Sequence, residues 1–341
     1  MESSLEELWK IRVTNQESFS LGSSSYNDIG IGFNDRLLFN VPHNLLRQKE
    51  NKKYDHWLYS VYFRDISNYL NPSYRNNKSK FEQSIKLSNC TEYFKKTFFK
   101  YIDNSARWDR NNLLEVLGNW GNKLLNYGQV INEFVGWYDN DTKDCFAYQI
   151  EPIEVSYCQI SKDKYEFKAP KLIEGNKTKI KIVEIPIGKC IVITWPKELG
   201  GISRYQEKTN TILALGNKIP SMEESIRMQP GEMVRNAKEW EMNFDRLISE
   251  WGNNHPNEET TPFYKEYNYF LLKGTLIYCT HAIIDGLKQI IAILNNKFGE
   301  EGILSFQDDD FNIDKYIDCK SKFLSGKMSF TQANEYLKSI Y

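Results

Sequence analysis

A long series of apolar residues at helical spacing constrains the fold of this chain more than any other feature. The series runs from Phe263 to Phe298 and steps by three, four or seven residues through Tyr267, Phe270, Gly274, Ile277, His281, Ile284, Ile291 and Leu294. Thr261 precedes Pro262, and proline is favoured as the first residue of a helix. The pattern predicts one continuous helix, about 50 Å long at a rise of ~1.5 Å per residue.

A second series predicts a partner for this helix. Its residues step by 4, 3, 4, 3 and 4, and they are Met233, Ala237, Trp240, Phe244, Leu247 and Trp251. This period is typical of a helix that packs on another helix. A polar loop, 252–261, separates the two series, so we predict an antiparallel helical hairpin over 222–298. We expect eight residues to supply the packing, within the chain or between copies: Trp240, Phe244, Trp251, Tyr267, Phe270, Ile277, His281 and Ile284.

The middle of the chain has the alternation of β-strands. A predicted strand over 130–138 is followed by a turn at Asp139-Asn140-Asp141 and a returning strand over 145–150. Further short runs, bounded by proline and glycine, predict strands over 155–160, 165–168, 179–185 and 190–195. We therefore predict an antiparallel β lobe over 128–221, with its strands in the first part of that range.

The remaining segments complete an α+β prediction for the 341 residues. Residues 1–56 are expected to form a peripheral arm. Helical spacing from Trp57 to Leu70 and from Phe81 to Trp120 predicts a helical N-terminal region over 57–127. Residues 299–341 are expected to form a tail with one short helix, which begins at Ser329 because Ser329 and Gln332 have the spacing of a capping box.

Composition limits the possible classes of function. The chain has 44 Lys and Arg against 45 Asp and Glu, so its net charge of −1 does not indicate nucleic acid or anionic lipid as a partner, although a local basic patch remains possible. The start MESSLEELWK lacks the pattern of a secretory signal. The longest uncharged apolar run, 274–284, is well short of the ~20 residues of a membrane span. The six cysteines form no C-x-x-C pair. These features predict a cytoplasmic protein without a membrane contact.

Motifs for catalysis or cofactor binding are incomplete. Gly30 and Gly32 match two glycines of a phosphate-binding loop, but Asp35 occupies the third position. Ser203 follows two glycines as in a nucleophile elbow, yet Tyr205 stands where the last glycine belongs, so a loop serine is favoured. The histidines lack metal-site spacing. We therefore predict no catalytic residue, no cofactor and no metal.

Several segments resemble portal proteins of tailed bacteriophages in their order. They are Leu124 to Phe134 with its Tyr127-Gly128 step, Tyr148 to Val155 with Pro152, the loop Trp195 to Ser203, the hairpin over 233–298 in the place of the portal stem, and the tail Ser325 to Glu335. The similarity covers roughly 90–335. The loop over 252–261 is shorter than the β-containing clip of that family, which contacts terminase or neck proteins.

The resemblance implies a structural role. Copies of the chain would form a ring around a DNA channel at one vertex of a capsid, with capsid and neck proteins as further partners. Double-stranded DNA would pass without being read. The protein would be assembled in the host cytoplasm and become part of the virion.

Two other classes remain open from the residues alone. An enzyme or defence effector could assemble its site from residues distant in sequence, such as Asp308, Asp310 and His281, and this hypothesis predicts a cleft that gathers carboxylates or histidines. A protein-binding adaptor is the third class, and it predicts a monomer or dimer with an exposed apolar groove.

Overall fold

The computed structural model describes residues 33–34, 84–101, 112–138, 141–142, 145–153, 155, 158–160, 164–173, 177–216, 239, 242–243, 246–252, 261–307 and 312–338. Within this part of the chain the protein is α+β, and its sheets are antiparallel. Its elements, in chain order, are β1 (Phe33–Asn34), β2 (Ile85–Ser88), α1 (Glu92–Tyr101), α2 (Asn112–Tyr127), β3 (Gln129–Tyr138), β4 (Cys145–Ile153), β5 (Cys158–Ile160), β6 (Lys164–Ile173), β7 (Lys177–Pro186), β8 (Cys190–Thr194), α3 (Gly201–Gly216), α4 (Pro262–Phe298), β9 (Ile303–Phe306), α5 (Ile313–Leu324) and α6 (Phe330–Lys338).

The central sheet is organised around β3. β4 pairs with β3 over most of its length, as the predicted hairpin requires. On the other edge of β3, β8 pairs with residues 129–133 and β1 pairs with residues 137–138. A second sheet contains β5, β6 and β7 in that order. Strands lie at the positions predicted between 128 and 195, except that Val155 is not in a strand and β5 begins at Cys158, and these strands divide between two sheets.

The predicted long helix is confirmed as α4, with the predicted ends. The Thr261 side chain accepts a hydrogen bond from the Tyr264 amide at 3.3 Å, and Pro262 is the first helical residue. Gly299 ends the helix in the left-handed conformation, with φ of 65°. Thr261 thus satisfies an amide that the helix itself leaves free, and glycine allows the left-handed turn at low cost.

α4 is the core helix of the described part of the chain. It contacts β8, β9, α2, α5 and α6, and it is buried at eighteen positions from Asn268 to Leu294. By length and composition α4 could cross a membrane, with a mean hydropathy of 1.3 over its most apolar window, but 61% of that window is buried inside the protein. The buried helix of a protein core meets the same criterion, so the prediction of no membrane contact stays a prediction.

Close packing joins α4 to the central sheet. A β-carbon added at Gly286 would lie 2.6 Å from the Ile193 side chain and 3.0 Å from the Trp120 ring. Val130, Phe134 and Ile193 belong to the same hydrophobic core as Leu287 and many other residues of α4. The sheet and the long helix therefore share one core.

The helical prediction over Phe81 to Trp120 is wrong at Ile85–Ser88. These residues form β2, which pairs with β9. Ile85 and Leu87 are buried while Lys86 and Ser88 are exposed, which is the period of two typical of a strand. The partner strand is more than 200 residues away, so local spacing could not indicate the pairing. α1 and the first part of α2 are helical as predicted, while residues 81–83 and 102–111 lie outside the described residues.

The tail contains more structure than the predicted short helix. α6 confirms that helix and its capping box, because the Ser329 amide donates to Gln332 Oε1 at 2.8 Å and the Gln332 amide donates to Ser329 Oγ at 3.3 Å. β9 and α5 were not predicted. Most of the peripheral arm, the segment 57–83 and most of the first helix of the predicted hairpin lie outside the described residues. The division of the chain into five segments stays a prediction.

Candidate functional site

A buried cluster of three aromatic side chains holds the start of α3 against α4. The ring centroid of Trp195 lies 4.9 Å from that of Trp251 and 5.1 Å from that of Tyr205. Each of these side chains is at most 2% exposed. The Tyr205 hydroxyl donates to the Leu125 backbone oxygen at 2.5 Å, which ties α3 to the end of α2.

The local sequence explains how this cluster forms. The Trp195 amide donates to the Gly128 oxygen at 2.7 Å, and the Gly201 amide donates to the Pro196 oxygen at 2.9 Å. Gly200 has a φ of 91°, which a residue with a side chain rarely adopts. The chain therefore leaves β8 through a tight turn and enters α3 directly. Ser203 lies in the first turn of α3, so the expectation of a loop serine is wrong.

Trp251 connects the cluster to α4. Its indole N–H donates to the Leu199 oxygen at 3.2 Å, and its own backbone oxygen accepts from the Thr275 hydroxyl at 2.8 Å. Gly252 follows with a φ of 74° and lies so close to the backbone of Asn268 and Leu272 that no β-carbon would fit. The segment 248–252 is thus locked between α3 and α4.

A charged cluster covers the same junction from the outside. Arg204 binds the Glu250 carboxylate through two hydrogen bonds, Nε to Oε1 and Nη2 to Oε2, both of 2.9 Å. Arg204 also binds Glu207 within α3. Lys208 lies 3.1 Å from Glu250, donates to the Leu247 oxygen and sits 5.3 Å from the centre of the Trp251 ring.

The charged cluster shifts the pKa of its members. The hydrogen bonds from Arg204 lower the pKa of Glu250, and the same bonds raise the pKa of Arg204. Burial lowers the pKa of Lys208 despite the neighbouring Glu250. An ion pair with two parallel hydrogen bonds is the strongest form of this contact. The cluster holds two segments of the chain together.

An open cavity of about 500 Å³ lies beside the charged cluster. It is lined by Arg204, Glu207, Lys208, Thr211, Asn243, Arg246 and Leu247. Arg204 and Lys208 already bind carboxylates, so an anionic ligand at these two cations would have to displace Glu207 or Glu250. The cavity therefore provides a mixed-charge surface, without the convergent polar groups of a built ligand site.

Two buried carboxylates lie opposite each other in the central sheet. Glu133 on β3 is the register partner of Glu151 on β4, and their residues are 0% and 7% exposed. Lys189 Nζ lies 3.5 Å from the Glu133 carboxylate and supplies an opposite charge. A buried carboxylate needs such a partner because desolvation of an unpaired charge is costly. Glu133 and Lys189 therefore form an internal ion pair.

A second aromatic group runs along the start of α4 and reaches the surface. Successive ring centroids lie 4.6 to 5.8 Å apart, in the order Phe263, Phe330, Phe323, Phe270, Tyr316 and Tyr278. Tyr316 is buried, and burial raises its pKa well above the ordinary value. Phe263, at the other end, is 58% exposed. The group therefore links the core to an exposed apolar end.

Exposed apolar residues continue along α5. Ile317 is 46% exposed and Leu324 is 69% exposed, and their separation of seven residues puts them on one side of the helix. We call Ile317 and Leu324 the outer apolar face. Exposed large apolar side chains grouped in one region are typical of surfaces that contact another protein.

The structure assigns the eight packing candidates to different environments. Trp251, Phe270, Ile277 and Ile284 are buried in the core of the chain itself. Tyr267 and His281 are half-buried on α4, and the Tyr267 ring lies 6.4 Å from that of Phe323. Trp240 and Phe244 lie outside the described residues. The buried candidates are thus used within one chain.

The structure describes one of the three residues proposed for an assembled active site. His281 is on α4, while Asp308 and Asp310 lie outside the described residues. No group of three or more His, Cys, Asp or Glu that could hold a metal ion occurs among the described residues. Cys145, Cys190, Cys279 and Cys319 are buried cysteines, and Cys90 is half-buried.

Sequence reasoning missed the contacts at the α3 junction. Arg204 and Glu250 are 46 residues apart, and neither belongs to a motif. The one available signal was the tryptophan next to Pro196 at the end of a strand, which marks a buried aromatic at a chain reversal.

No protein-family model matches the chain, and no curated protein matches it significantly. The described part of the chain is an α+β protein. In it, one long core helix packs on an antiparallel sheet.

Proposed function

We propose that this protein is a structural assembly subunit whose architecture and role resemble those of the portal proteins of tailed bacteriophages. Copies of the chain form a ring around a DNA channel at one vertex of a capsid, in contact with capsid and neck proteins. The proposal assigns no catalytic step and no cofactor to the chain. It also includes the finer architecture, with a helical N-terminal part, a β lobe and a stem-like helical hairpin.

The observation that carries the proposal is the order of the elements. The Tyr127-Gly128 step ends α2 and leads directly into the strand pair β3 and β4, with Gly128 at a φ of 70°. The loop that begins at Trp195 leads into α3, and in this proposal α4 is the second stem helix. Gly326, with a φ of 72°, precedes the capped helix α6. These elements have the order that the resemblance implies.

The burial of α4 changes which residues are available for contacts between copies. Phe270, Ile277 and Ile284 already pack inside the chain, so they cannot also contact a neighbour without unfolding the core. A ring needs two different surfaces of each subunit to meet head to tail. We assign one of these two surfaces to the outer apolar face, since its side chains are exposed in the single chain.

The decisive experiment is the mass of the purified full-length protein. Native mass spectrometry should give particles of many times 40.2 kDa, and negative-stain images should show closed rings with a central opening. A monomer at every salt concentration between low and high ionic strength, with no ring in any preparation, would contradict the proposal. A dimer without rings would favour the adaptor class.

A further inference from the structure

The open cavity beside the charged cluster lies between α3 and the stretch of chain that leads to Trp251. From α3 it is lined by Arg204, Glu207, Lys208 and Thr211, and from the other side by Asn243, Arg246 and Leu247. Its volume of about 500 Å³ is within the range of ligand pockets, ~300–1,000 Å³. Two segments of the chain therefore supply side chains to one concave surface.

Positive charge is in excess at this cavity. Arg204, Lys208 and Arg246 line it, whereas Glu207 is the one carboxylate among its lining residues. Glu250 adds a second negative charge, because it binds Arg204 and Lys208. Three positive charges thus meet two negative charges in the arrangement that the structure shows, and they would meet only one if the Glu207 carboxylate moved away.

Arg204 uses different nitrogen atoms for its two carboxylates. Nε and Nη2 bind the Glu250 oxygens, both at 2.9 Å. Nη1 binds the two Glu207 oxygens at 2.8 and 2.7 Å. Departure of Glu207 would therefore free Nη1, while Glu250 would continue to orient the guanidinium group.

Glu207 is the more easily displaced of the two partners. Its side chain is 63% exposed, and it pairs with Arg204 three residues before it on the same helix. Exposed ion pairs of this kind contribute little to stability, because water solvates both charges. Glu250 instead joins two segments of the chain and binds two cations. An incoming anion would therefore replace Glu207 and leave Glu250 in place.

Arg246 adds a guanidinium group that is available for a ligand. Its side chain lines the cavity and is exposed, and it forms no hydrogen bond or ion pair with another residue that the structure describes. Asn243 contributes an amide to the same lining, and Thr211 contributes a hydroxyl. Guanidinium groups bind phosphate through paired N–H donors and suit it better than a single ammonium group does.

We propose that the cavity binds the dianionic phosphoryl group of a small molecule, which takes the place of Glu207 on Arg204. Nη1 of Arg204, Lys208 and Arg246 supply the positive charges, and the Glu207 side chain turns into solvent. A dianion suits this site because three positive charges against the single charge of Glu250 leave a net charge of +2. The ligand thus selects a position of Glu207 other than the one in the structure. The inference does not depend on the proposed ring.

The first test removes the competing carboxylate. Glu207→Gln eliminates the charge that phosphate has to displace, so phosphate should bind about tenfold more tightly than to the wild type. Glu92→Gln is the matched control, because Glu92 forms an ion pair of the same spacing with Lys95 on α1, and it should leave the affinity unchanged. Isothermal titration calorimetry of the full-length protein with inorganic phosphate, at constant ionic strength, gives the dissociation constants. A gain in affinity cannot result from a folding defect.

The second test removes a cation. Arg246→Gln should weaken the binding of inorganic phosphate by about tenfold. Lys288→Gln, at an exposed position of α4, is the control and should not change it. Titration with ribose 5-phosphate distinguishes the two sources of a phosphoryl dianion. Tighter binding of ribose 5-phosphate would support an organic phosphate as the ligand, and equal affinities would support the free ion.

Several results would overturn the inference. They are the absence of saturable phosphate binding in the wild type, an affinity of Glu207→Gln no higher than that of the wild type or of Glu92→Gln, and equal affinities of Arg246→Gln and Lys288→Gln. Release of bound phosphate by a 30-bp duplex at a matched phosphate concentration would overturn it in favour of nucleic acid. Particle mass is measured separately, so a monomer that binds phosphate would contradict the ring alone.

Discussion

The side-chain amide of Gln289 forms two hydrogen bonds with the backbone of Val192, accepting from its N–H and donating to its oxygen, each at 2.8 Å. β8 pairs with β3 along its other edge. Gln289 therefore takes the place of a neighbouring strand at Val192 and satisfies backbone groups at the edge of the sheet. Through this contact α4 fixes the edge of β8 as well as covering the face of the sheet.

The first prediction concerns this edge contact. Gln289→Leu keeps a similar volume but leaves a half-buried N–H and C=O of Val192 without their partner. Unsatisfied groups of this kind cost about 1–3 kcal/mol, so the free energy of unfolding in urea should fall by about that amount. Lys288→Leu, next to it at an exposed position, is the control and should change stability little. Equal effects of the two variants would show that the hydrogen bonds of Gln289 do not stabilise the sheet.

The second prediction compares two glycines with left-handed backbones. Gly252 has a φ of 74° and lies against the backbone of α4, whereas Gly299 has a φ of 65° and no atom within 4 Å of an added β-carbon. Gly299→Ala should cost about 1–2 kcal/mol, because it introduces only the strain of the left-handed conformation. Gly252→Ala should cost clearly more, because segment 248–252 must move away from α4.

Thermal unfolding of the two glycine variants provides the measurement. The melting temperature should fall further for Gly252→Ala, and the near-ultraviolet circular dichroism of Trp251 should change only in that variant. If both glycines tolerate alanine equally, segment 248–252 is not locked between α3 and α4.

Much of this fold could be predicted from local patterns in the sequence. α4 has apolar residues at helical spacing together with Thr261, Pro262 and Gly299 at its ends, and each of these three residues acts within one helical turn. The β3–β4 hairpin likewise depends on neighbouring residues. β2 and β9 could not be predicted, because each has only four residues and is stabilised by a partner that is distant in sequence.

The contacts of the site were less predictable than the elements. The apolar period identified Trp251, Phe270, Ile277 and Ile284 as packing residues, but periodicity cannot distinguish a contact within the chain from a contact between copies. The pair of Arg204 and Glu250 depends on two segments meeting in three dimensions.

The third prediction concerns pH and the pair of Arg204 and Glu250. Hydrogen bonding to Arg204 lowers the pKa of Glu250 in the folded protein below its ordinary value near 4.5. The ion pair therefore contributes stability above that pH, and the contribution is lost as the pH falls through the lower folded pKa. The Glu250 side chain is 41% exposed, so solvent screening limits the effect to less than about 1 kcal/mol.

Glu250→Gln should accordingly reduce the loss of stability between pH 5 and pH 3, measured by urea unfolding at a series of pH values. Glu207→Gln is the matched control, since Glu207 binds the same guanidinium from within α3 and its side chain is 63% exposed. A pH profile of Glu250→Gln that coincides with that of the wild type would show that this pair does not contribute to acid sensitivity.

The fourth prediction tests the outer apolar face in assembly. Ile317 and Leu324 are exposed on one side of α5, so Ile317→Ser with Leu324→Ser should leave the core and the melting temperature of dissociated subunits nearly unchanged. Burying an apolar side chain at an interface contributes about 1.5–3 kcal/mol, and this contribution is repeated at each contact of a ring. The double variant should therefore shift the mass distribution from rings towards single subunits.

The control for this prediction is Met242→Ser with Ile303→Ser. Met242 is 51% exposed and Ile303 is 53% exposed, but neither belongs to the outer apolar face. Native mass spectrometry at one protein concentration should show rings for this control and dissociated subunits for the α5 variant. If both double variants keep the particle mass of the wild type, the outer apolar face does not join the copies. If both double variants form rings equally poorly, general surface hydrophobicity drives the association. A specific interface on α5 should be weakened only by substitutions in the outer apolar face.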